Sequence, residues 1–448
     1  MGSVVTEAAT ELARAGVAGK RTKFEVGGPA PTYEGDFVLD GHLALECGRT
    51  LASPTLHYAV YGRLNAAGDN AVLVCHALSG SALVGAWWPE LFGAKSGELA
   101  SQPVSESARG GNDGTCGDGG REDAGPSTPL RSAQDDNFLG VRGSERTGGR
   151  IVDLERDCVI CVNLLGSCYG STGPGSVNPE CEGEVSLYGP DFPLISIRDN
   201  VRAQAELLDS LGIERLALAI GGSIGGMQAL EWSILFPERV QRAVIIGVAP
   251  LNAMGLALNH LQRRAIVDDP EWLGGWYLQQ QQPRKGLALA RQIAMLSYKS
   301  PQLFEERFGR NPNRNGEDPW ALERDGGGLT GGRFDVAGFL DYQGERFPER
   351  FDANAYLAIL RTMDTWDPLL GWRSPAEAFG RIRARLIFVG ISSDALFPAA
   401  EVRRLAAAVE AAGARAEYRE MVTDHGHDAF LAEQSELIGL LQLGETAI

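Results

Sequence analysis

Short, continuous apolar runs recur along this chain and constrain its fold more than any other feature. The first begins at Ala71, and similar runs rich in Val and Ile follow at 158–165, 216–220, 242–247 and 385–390. Such runs are typical of strands that are buried on both faces of a parallel sheet. Stretches with helical periodicity lie between them, at 197–211, 227–236 and 401–412. Strands that alternate with helices predict βαβ units and therefore an α/β fold with a mostly parallel sheet flanked by helices.

Two segments depart from this pattern. Residues 94–150 are rich in glycine and poor in large apolar side chains, so they bury too little apolar surface to offset their ordering entropy. We expect a disordered insertion there. Residues 251–370 contain long helical stretches and few strand signals, which predicts a helical cap between late strands. The remaining chain then divides into a loose N-terminal arm at 1–30 and a core at 31–250 and 371–448.

Composition narrows the classes of function. The chain has 41 Lys and Arg against 58 Asp and Glu, a net charge of −17, which disfavours binding to nucleic acid or anionic membranes. Its seven cysteines have no regular spacing, so no disulfide framework is expected. Cys158 and Cys161 lie in an apolar run and are interpreted as core thiols, not metal ligands. We therefore expect a cytoplasmic protein without a bound metal.

The strongest chemical signal is the sequence Gly-Gly-Ser-Ile-Gly at 221–225, which has the form G-x-S-x-G. It follows an apolar run and precedes a helical stretch, as a nucleophile elbow requires. Small residues at Gly221 and Gly225 leave room for a tight turn that presents Ser223 at the head of a helix. An ordinary glycine-rich turn and a phosphate loop are the alternatives. The chain has no G-x-x-x-x-G-K-[ST] motif, which disfavours a nucleoside-triphosphate site.

A nucleophile elbow needs an acid and then a histidine later in the chain. Asp394 follows the apolar run at 385–390, and only His425 and His427 lie after it. We favour His427, because Gly426 precedes it and an apolar helical stretch follows. In such a triad the imidazole removes the serine proton, and the aspartate fixes the imidazole tautomer.

The same mechanism needs two backbone N–H groups to stabilise an oxyanion. The residue after the nucleophile, Ile224, supplies one. The polar turn after the first apolar run supplies the other, and Leu78 is the candidate. His76 in this turn is interpreted as a structural residue that holds the loop.

Several long motifs carry a resemblance to a known family. They read CHALSG at 75–80, NLLGSCYGSTGP at 163–174, YGPDFP at 188–193, GGSIGGMQALEW at 221–232 and GHDAFL at 426–431, with NHLQRRAI at 259–266, GGWY at 274–277 and YQGERF at 342–347 in the cap. These motifs closely resemble the homoserine O-acetyltransferase family of α/β-hydrolase-fold acyltransferases, over about residues 35–93 and 151–445.

The resemblance implies a function in methionine biosynthesis. Acetyl-CoA would acylate Ser223, and the acetyl group would then pass to the side-chain hydroxyl of L-homoserine in a ping-pong mechanism. It further implies that Arg263 holds the substrate carboxylate, that Asp428 holds its ammonium group, and that Tyr277 lines the site. Acetyl-CoA would be a co-substrate, with no bound cofactor, and the protein would be a homodimer built through the cap.

Three alternatives stay open at this point. The first is an acyltransferase of the same family with another acceptor or donor, such as serine, a deacetylated antibiotic or succinyl-CoA. Ile224, Ala395 and Ser81 depart from the residues usual in the family, which leaves the donor and acceptor open. An esterase-type hydrolase shares the fold but has no use for a zwitterion clamp. A binding protein that has lost catalysis is disfavoured by the intact triad.

Overall fold

The computed structural model describes residues 28–93, 150–181, 186–277, 281–315, 317–320 and 332–442. The N-terminal arm and the glycine-rich insertion expected from the sequence lie almost entirely outside these residues, and both expectations remain predictions.

An eight-stranded sheet forms the centre of the described structure. The strands of the described residues are β1 Tyr33–Val38, β2 His42–Ala44, β3 Thr50–Ala52, β4 Thr55–Gly62, β5 Ala71–Cys75, β6 Cys158–Val162, β7 Leu218–Gly222, β8 Arg242–Ile246, β9 Arg385–Ile391 and β10 Arg415–Met421. The sheet has the order β1-β4-β6-β5-β7-β8-β9-β10, whereas β2 and β3 form a separate hairpin.

Most neighbours in the sheet are parallel. Strands β6, β5, β7, β8, β9 and β10 pair in parallel, and antiparallel pairing is confined to β1 with β4 and β4 with β6. The strands predicted from continuous apolar runs are β5 to β9, and nearly every residue in them is buried. The α/β fold with a mostly parallel sheet is therefore confirmed.

Helices cover both faces of the sheet, and others lie in the segment between β8 and β9. They are α1 Val84–Trp87, α2 Ile197–Ser210, α3 Ile224–Leu235, α4 Ala253–Val267, α5 Arg284–Tyr298, α6 Pro301–Phe308, α7 Asp335–Arg346, α8 Ala353–Asp364, α9 Pro375–Phe379, α10 Ala399–Ala411, α11 Ala429–Ala432 and α12 Gln434–Leu441. Helix α2 begins with a capping box, in which Ser196 and Asp199 bond each other's backbone N–H, an arrangement that fixes a helix start. No described helix combines the length and apolarity needed to cross a membrane.

The chain between β8 and β9 carries helices and no strand of the sheet in its described residues. Helix α4 packs against α5 and α8, and α5 also packs against α7. Tyr298, at the end of α5, and the short 3₁₀ turn Phe347–Glu349 lie close to the edge of the sheet where β7 and β9 end. This segment therefore supplies part of the wall of the cavity described next.

Candidate active site

Ser223 lies in a sharp turn between β7 and α3. Its backbone has φ 57° and ψ −131°, a conformation that is strained for a residue with a side chain. A hydrogen bond from the Ser223 N–H to the Ile246 carbonyl, 2.9 Å long, holds the turn to β8. A Cβ atom on Gly225 would lie 2.1 Å from the Cys75 carbonyl oxygen, so only glycine fits there. The turn has the form expected of a nucleophile elbow.

Asp394 and His427 form a buried pair beside this turn. The His427 Nδ1–H donates to Asp394 Oδ2 over 2.7 Å, and the side chains are 3% and 0% exposed. The other carboxylate oxygen accepts from the backbone N–H groups of Leu396 and Phe397, at 2.8 and 2.9 Å. These bonds fix the carboxylate and, through it, the imidazole tautomer with Nδ1 protonated. The Nε2 atom is then free of its proton and able to act as a base.

The Nε2 atom of His427 is buried and has no hydrogen-bond partner among the described residues. Ser223 and His427 line the same cavity, which has a volume of about 150 Å³. A buried basic nitrogen that faces a cavity containing a strained serine is the arrangement a nucleophilic triad needs. The structure thus brings Ser223, His427 and Asp394 together, as the sequence predicted.

The electrostatic environment of His427 is suited to a general base. Burial by itself lowers the pKa of His427, but the charge and hydrogen bond of Asp394, together with the charge of Asp428, outweigh burial, and the pKa lies above its ordinary value. The rings of Phe397 and Phe430 pack on the imidazole with centroids 5.3 and 5.8 Å away. The imidazolium that forms when serine gives up its proton is therefore stabilised by a desolvated carboxylate.

His425 has a different environment. Its Nδ1 lies 2.6 Å from Glu433 Oε1, and it does not line the cavity. Burial would raise the pKa of Glu433, but the hydrogen bonds from His425 and Thr423 outweigh burial, and the pKa of Glu433 is lowered. The preference for His427 over His425 agrees with this geometry.

The loop after β5 supplies the second oxyanion candidate. Leu78 lines the cavity, and its N–H has no acceptor among the described residues. Ile224 is the first residue of α3, where a backbone N–H has no partner within the helix. Two N–H groups are therefore available for the oxyanion of a tetrahedral intermediate formed at Ser223, as expected from the sequence.

His76 holds this loop on the side that faces the protein core. It is completely buried, its Nδ1–H donates to the Ala77 carbonyl at 2.8 Å, and its Nε2 accepts from the Leu164 N–H at 3.2 Å. Burial lowers the pKa of His76 to about 4, despite the hydrogen bond to Ala77. His76 is thus a neutral structural residue and not a catalytic base.

Two of the residues assigned to the acceptor bind other side chains in this structure. The Arg263 guanidinium pairs with Asp364, and the Tyr277 hydroxyl donates to Asp352 at 2.9 Å and accepts from the Asn354 N–H. Neither Arg263 nor Tyr277 lines the cavity. Both side chains instead make contacts that hold α4 and the following turn to α8.

Asp428 does line the cavity. One oxygen of its carboxylate lies 3.2 Å from the Lys299 ammonium, and Lys299 is almost fully buried. Asp428 therefore carries a charge partner that the sequence did not predict, while remaining beside His427.

Two arginines that the sequence analysis missed line the cavity instead. Arg291 is only 7% exposed, and its guanidinium lies 5.6 Å from the Tyr298 ring centroid and 5.1 Å from that of Phe347. Arg350 lines the same cavity, and its guanidinium also lies 5.1 Å from the Phe347 ring centroid. A signal for Arg291 was present, because it shares the buried face of α5 with Leu287, Ala290 and Ala294. An arginine on an otherwise apolar helix face is costly to bury, so such a position in the sequence indicates a residue with a specific role.

The lining of the cavity also includes the apolar side chains of Trp87, Phe430 and Leu431. A cavity lined by both cations and apolar side chains suits a small polar acceptor together with an acyl group. Among the described residues, no group of three or more His, Cys, Asp or Glu side chains is placed to hold a metal ion.

Comparison with known proteins shows which family this chain belongs to. Residues 151–434 match the family model described as the alpha/beta hydrolase fold. The chain is 42% identical over 392 residues to a homoserine O-acetyltransferase of Symbiobacterium thermophilum, covering 87% of this chain and 88% of that protein. It is 38% identical over 399 residues to a homoserine O-succinyltransferase of Alkalilimnicola ehrlichii, covering 88% of this chain and 89% of that protein.

Solved structures share the fold. A homoserine O-acetyltransferase from Bacillus anthracis superposes with a TM-score of 0.69 at 23% identity, covering 93% of this chain and 99% of that one. Esterase E22 superposes with a TM-score of 0.67 at 22% identity, covering 90% of this chain and 98% of that one. Transferases and hydrolases thus share this architecture, and the sequence relationship discriminates between them. With relatives of about 40% identity over nearly its whole length, the chain belongs to the homoserine O-acetyltransferase family of the α/β-hydrolase fold.

Proposed function

We propose that this protein transfers an acetyl group from acetyl-CoA to the side-chain hydroxyl of L-homoserine, giving O-acetyl-L-homoserine. The observation that carries the proposal is the buried Asp394–His427 pair, whose Nε2 faces a cavity that contains Ser223, two arginines and Asp428. Such a cavity offers a nucleophile for the acyl group and opposite charges for a zwitterionic acceptor.

The reaction would proceed in two half-reactions. His427 removes the Ser223 proton as the oxygen attacks the thioester carbonyl, and the tetrahedral oxyanion is held by the N–H groups of Leu78 and Ile224. When the C–S bond breaks, His427 returns the proton to the CoA thiolate. In the second half-reaction His427 removes the homoserine hydroxyl proton, that oxygen attacks the acetyl carbonyl, and Ser223 leaves with the proton.

Arg291, in place of Arg263, is the residue we propose for the acceptor carboxylate. A guanidinium binds a carboxylate with two parallel hydrogen bonds, and aromatic rings restrict this one to the cavity wall. Asp428 would bind the ammonium group, because a carboxylate has a second oxygen available while the first is bound to Lys299.

A succinyl donor is the second candidate. Relatives named for acetyl and for succinyl transfer match this chain at similar identity, 42% and 38%. Arg350 places a second cation in the cavity, and a succinyl group carries a carboxylate that such a cation would bind.

A substrate panel tests these proposals. The purified enzyme is mixed with acetyl-CoA or succinyl-CoA and with L-homoserine, L-serine or no acceptor, and free CoA thiol is followed. The acetyl-CoA and homoserine pair should have the highest kcat/KM. Thiol release at the same rate without an acceptor would indicate a hydrolase. A preference for succinyl-CoA would replace acetyl-CoA as the proposed donor, and a preference for serine would replace homoserine as the proposed acceptor.

Arg291→Lys should lower kcat/KM for the acceptor by about 30- to 1000-fold, because a charge-assisted bidentate pair in a desolvated site is worth about 2–4 kcal/mol. Acetylation of the enzyme by acetyl-CoA alone should change far less, since no amino acid takes part. The matched control is Arg263→Lys, whose partly exposed ion pair with Asp364 is worth about 1 kcal/mol or less, so activity should fall by no more than a few-fold. If the control shows the larger loss, the assignment of Arg263 is restored.

We further propose a homodimer joined through α4 and α5. These helices pack side by side and expose apolar side chains that no described residue covers, namely Met254, Leu256, Leu261, Leu289 and Leu296. Apolar side chains exposed on two neighbouring helices favour a protein interface there. Sedimentation velocity should give twice the 47.9 kDa chain mass, and Leu261→Glu should give single chains, whereas Leu370→Glu, at an exposed leucine outside these helices, should not. Single chains of the unaltered protein at micromolar concentration would refute the dimer.

Cofactor use and location complete the proposal. The triad supplies both nucleophile and base, so we propose that the enzyme works without a bound cofactor and consumes acetyl-CoA as a substrate. We also propose a cytoplasmic location, where acyl-CoA is made and where the free thiols of the described cysteines stay reduced.

A further inference from the structure

Arg350 lies between the turn Phe347–Glu349 and α8, and its side chain contacts the loop of residues 76–80. We propose that Arg350 is a positioning residue that holds this oxyanion loop in the orientation needed for catalysis. The inference rests on the acyl-transfer function proposed above, and it assigns to Arg350 a part in both half-reactions.

The guanidinium of Arg350 is itself tightly placed. Its Nη1 donates to the Ser79 carbonyl at 3.1 Å and to the Tyr169 hydroxyl at 2.9 Å. The guanidinium also lies over the Phe347 ring, 5.1 Å from its centroid, a favourable cation–π geometry. The Tyr169 ring packs edge-on against Phe351. A cation with this many neighbours has little freedom, so it can serve as a fixed donor.

Two peptide groups connect Arg350 to the oxyanion hole. The Ser79 carbonyl belongs to the same peptide as the Gly80 N–H, and that N–H donates to the Ala77 carbonyl at 2.9 Å. The Ala77 carbonyl in turn belongs to the same peptide as the Leu78 N–H. In a trans peptide the C=O and N–H point in opposite directions. Fixing the Ser79 carbonyl therefore fixes the Ala77 carbonyl and, through it, the direction of the Leu78 N–H.

The loop is thus held from two sides. His76 donates to the Ala77 carbonyl from the core of the protein, whereas Arg350 acts from the helical segment between β8 and β9. Hydrogen bonds in such a chain also strengthen one another. Without Arg350, the Ser79 carbonyl would lose its charged donor. The turn would then be held by His76 and by its own bond from Gly80 to Ala77, and Gly80 has no side chain to restrict its backbone.

The competing role for Arg350 is direct binding of the acceptor carboxylate or of a succinyl carboxylate, since it lines the cavity. The two roles differ in what they affect. A positioning residue is needed whenever an oxyanion forms, even with a neutral ester. A binding residue matters only when its anionic partner is present.

The test uses p-nitrophenyl acetate, which forms the oxyanion without CoA or an amino acid. Arg350→Ala should slow the nitrophenolate burst by about 10- to 100-fold, less than the ~100- to 1000-fold typical of deleting an oxyanion donor outright. Acetylation by acetyl-CoA should slow by a similar factor, while the KM for homoserine changes by about threefold or less. Added ethylguanidinium should restore part of the rate. Tyr169→Phe, which leaves the Ser79 contact in place, should cost about two- to fivefold.

Arg381→Ala is the matched control. Its guanidinium likewise donates to a carbonyl, that of Ile234, and lies over a ring, that of Trp372, but it does not line the cavity. Its burst rate should equal that of the unaltered protein.

A normal burst in Arg350→Ala, with a loss confined to homoserine or succinyl-CoA, would overturn the proposal and make Arg350 a binding residue. If Arg350→Ala does not fold, Arg350→Lys decides instead: a burst slowed by at least threefold with an unchanged melting temperature supports the proposal, and an unchanged burst overturns it. If the unaltered protein gives a burst that depends on Arg350 but does not react with acetyl-CoA, the acyl-transfer function fails while the positioning role stands.

Discussion

Ser223→Ala is expected to abolish acyl transfer, lowering kcat by about 10⁴- to 10⁶-fold, because the acceptor and donor no longer share a covalent intermediate. Ser223 is the strained residue of the turn and lines the cavity, and it is the nucleophile we propose. Incubation of the unaltered protein with acetyl-CoA alone should add one acetyl group to the peptide that contains Ser223, as measured by mass spectrometry, and the variant should gain none. Both half-reactions should fail together in the variant.

Ser233→Ala provides the control for this experiment. Ser233 is buried on the same helix, where its hydroxyl donates only to the Ala229 carbonyl, so its loss should leave the rate within about threefold. Initial rates with both substrates varied should give parallel lines. Intersecting lines, together with no acetylated peptide, would show direct transfer and would refute the acyl-enzyme.

Asp394→Asn should lower kcat by about 10⁴-fold, the loss typical of a triad whose imidazole takes the wrong tautomer. The Leu396 and Phe397 N–H groups donate to one carboxylate oxygen, so they will hold the amide oxygen of an asparagine. Its NH₂ group must then face Nδ1 of His427 and donate to it. Nε2 would carry the proton and could no longer accept one from serine.

The same variant should change the pH dependence. Asp394 raises the pKa of His427 against the effect of burial, so removing the charge lowers that pKa. Activity requires neutral His427, and the acidic limb of the kcat profile should therefore move to lower pH in Asp394→Asn. Asp268→Asn, at an exposed ion pair with Arg264, should change neither kcat nor the profile. An Asp394→Asn enzyme within about tenfold of full activity would contradict the role given to Asp394.

The central strands and the triad were predictable from local sequence. Strands β5 to β9 are buried on both faces and therefore appear as continuous apolar runs. Ser223 and Asp394 directly follow two of these strands, and the positions of such residues are set by the backbone that precedes them. His427 could be placed because few histidines follow Asp394 and the chain order of the triad is known.

The outer strands were not predicted. β1 exposes nearly every residue to some degree, β4 alternates, and β10 includes charged residues at several positions. Strands with a solvated face lack a continuous apolar run, so their sequences resemble those of polar loops. Pairing with an already formed sheet is what orders them.

Which residues line the cavity beside Ser223 also depended on tertiary structure. Arg263 and Arg291 both lie on helices of the segment between β8 and β9, and each is a plausible carboxylate ligand by residue type. Packing of α4 against α8 turns Arg263 toward Asp364, whereas the buried face of α5 carries Arg291 to the cavity. By itself, the sequence determined the α/β fold, the elbow and the order of the triad, because these follow from local periodicity and from residues adjacent to buried strands. Only the tertiary structure decided which arginines face Ser223, because that depends on how helices distant in sequence rotate and pack over the sheet.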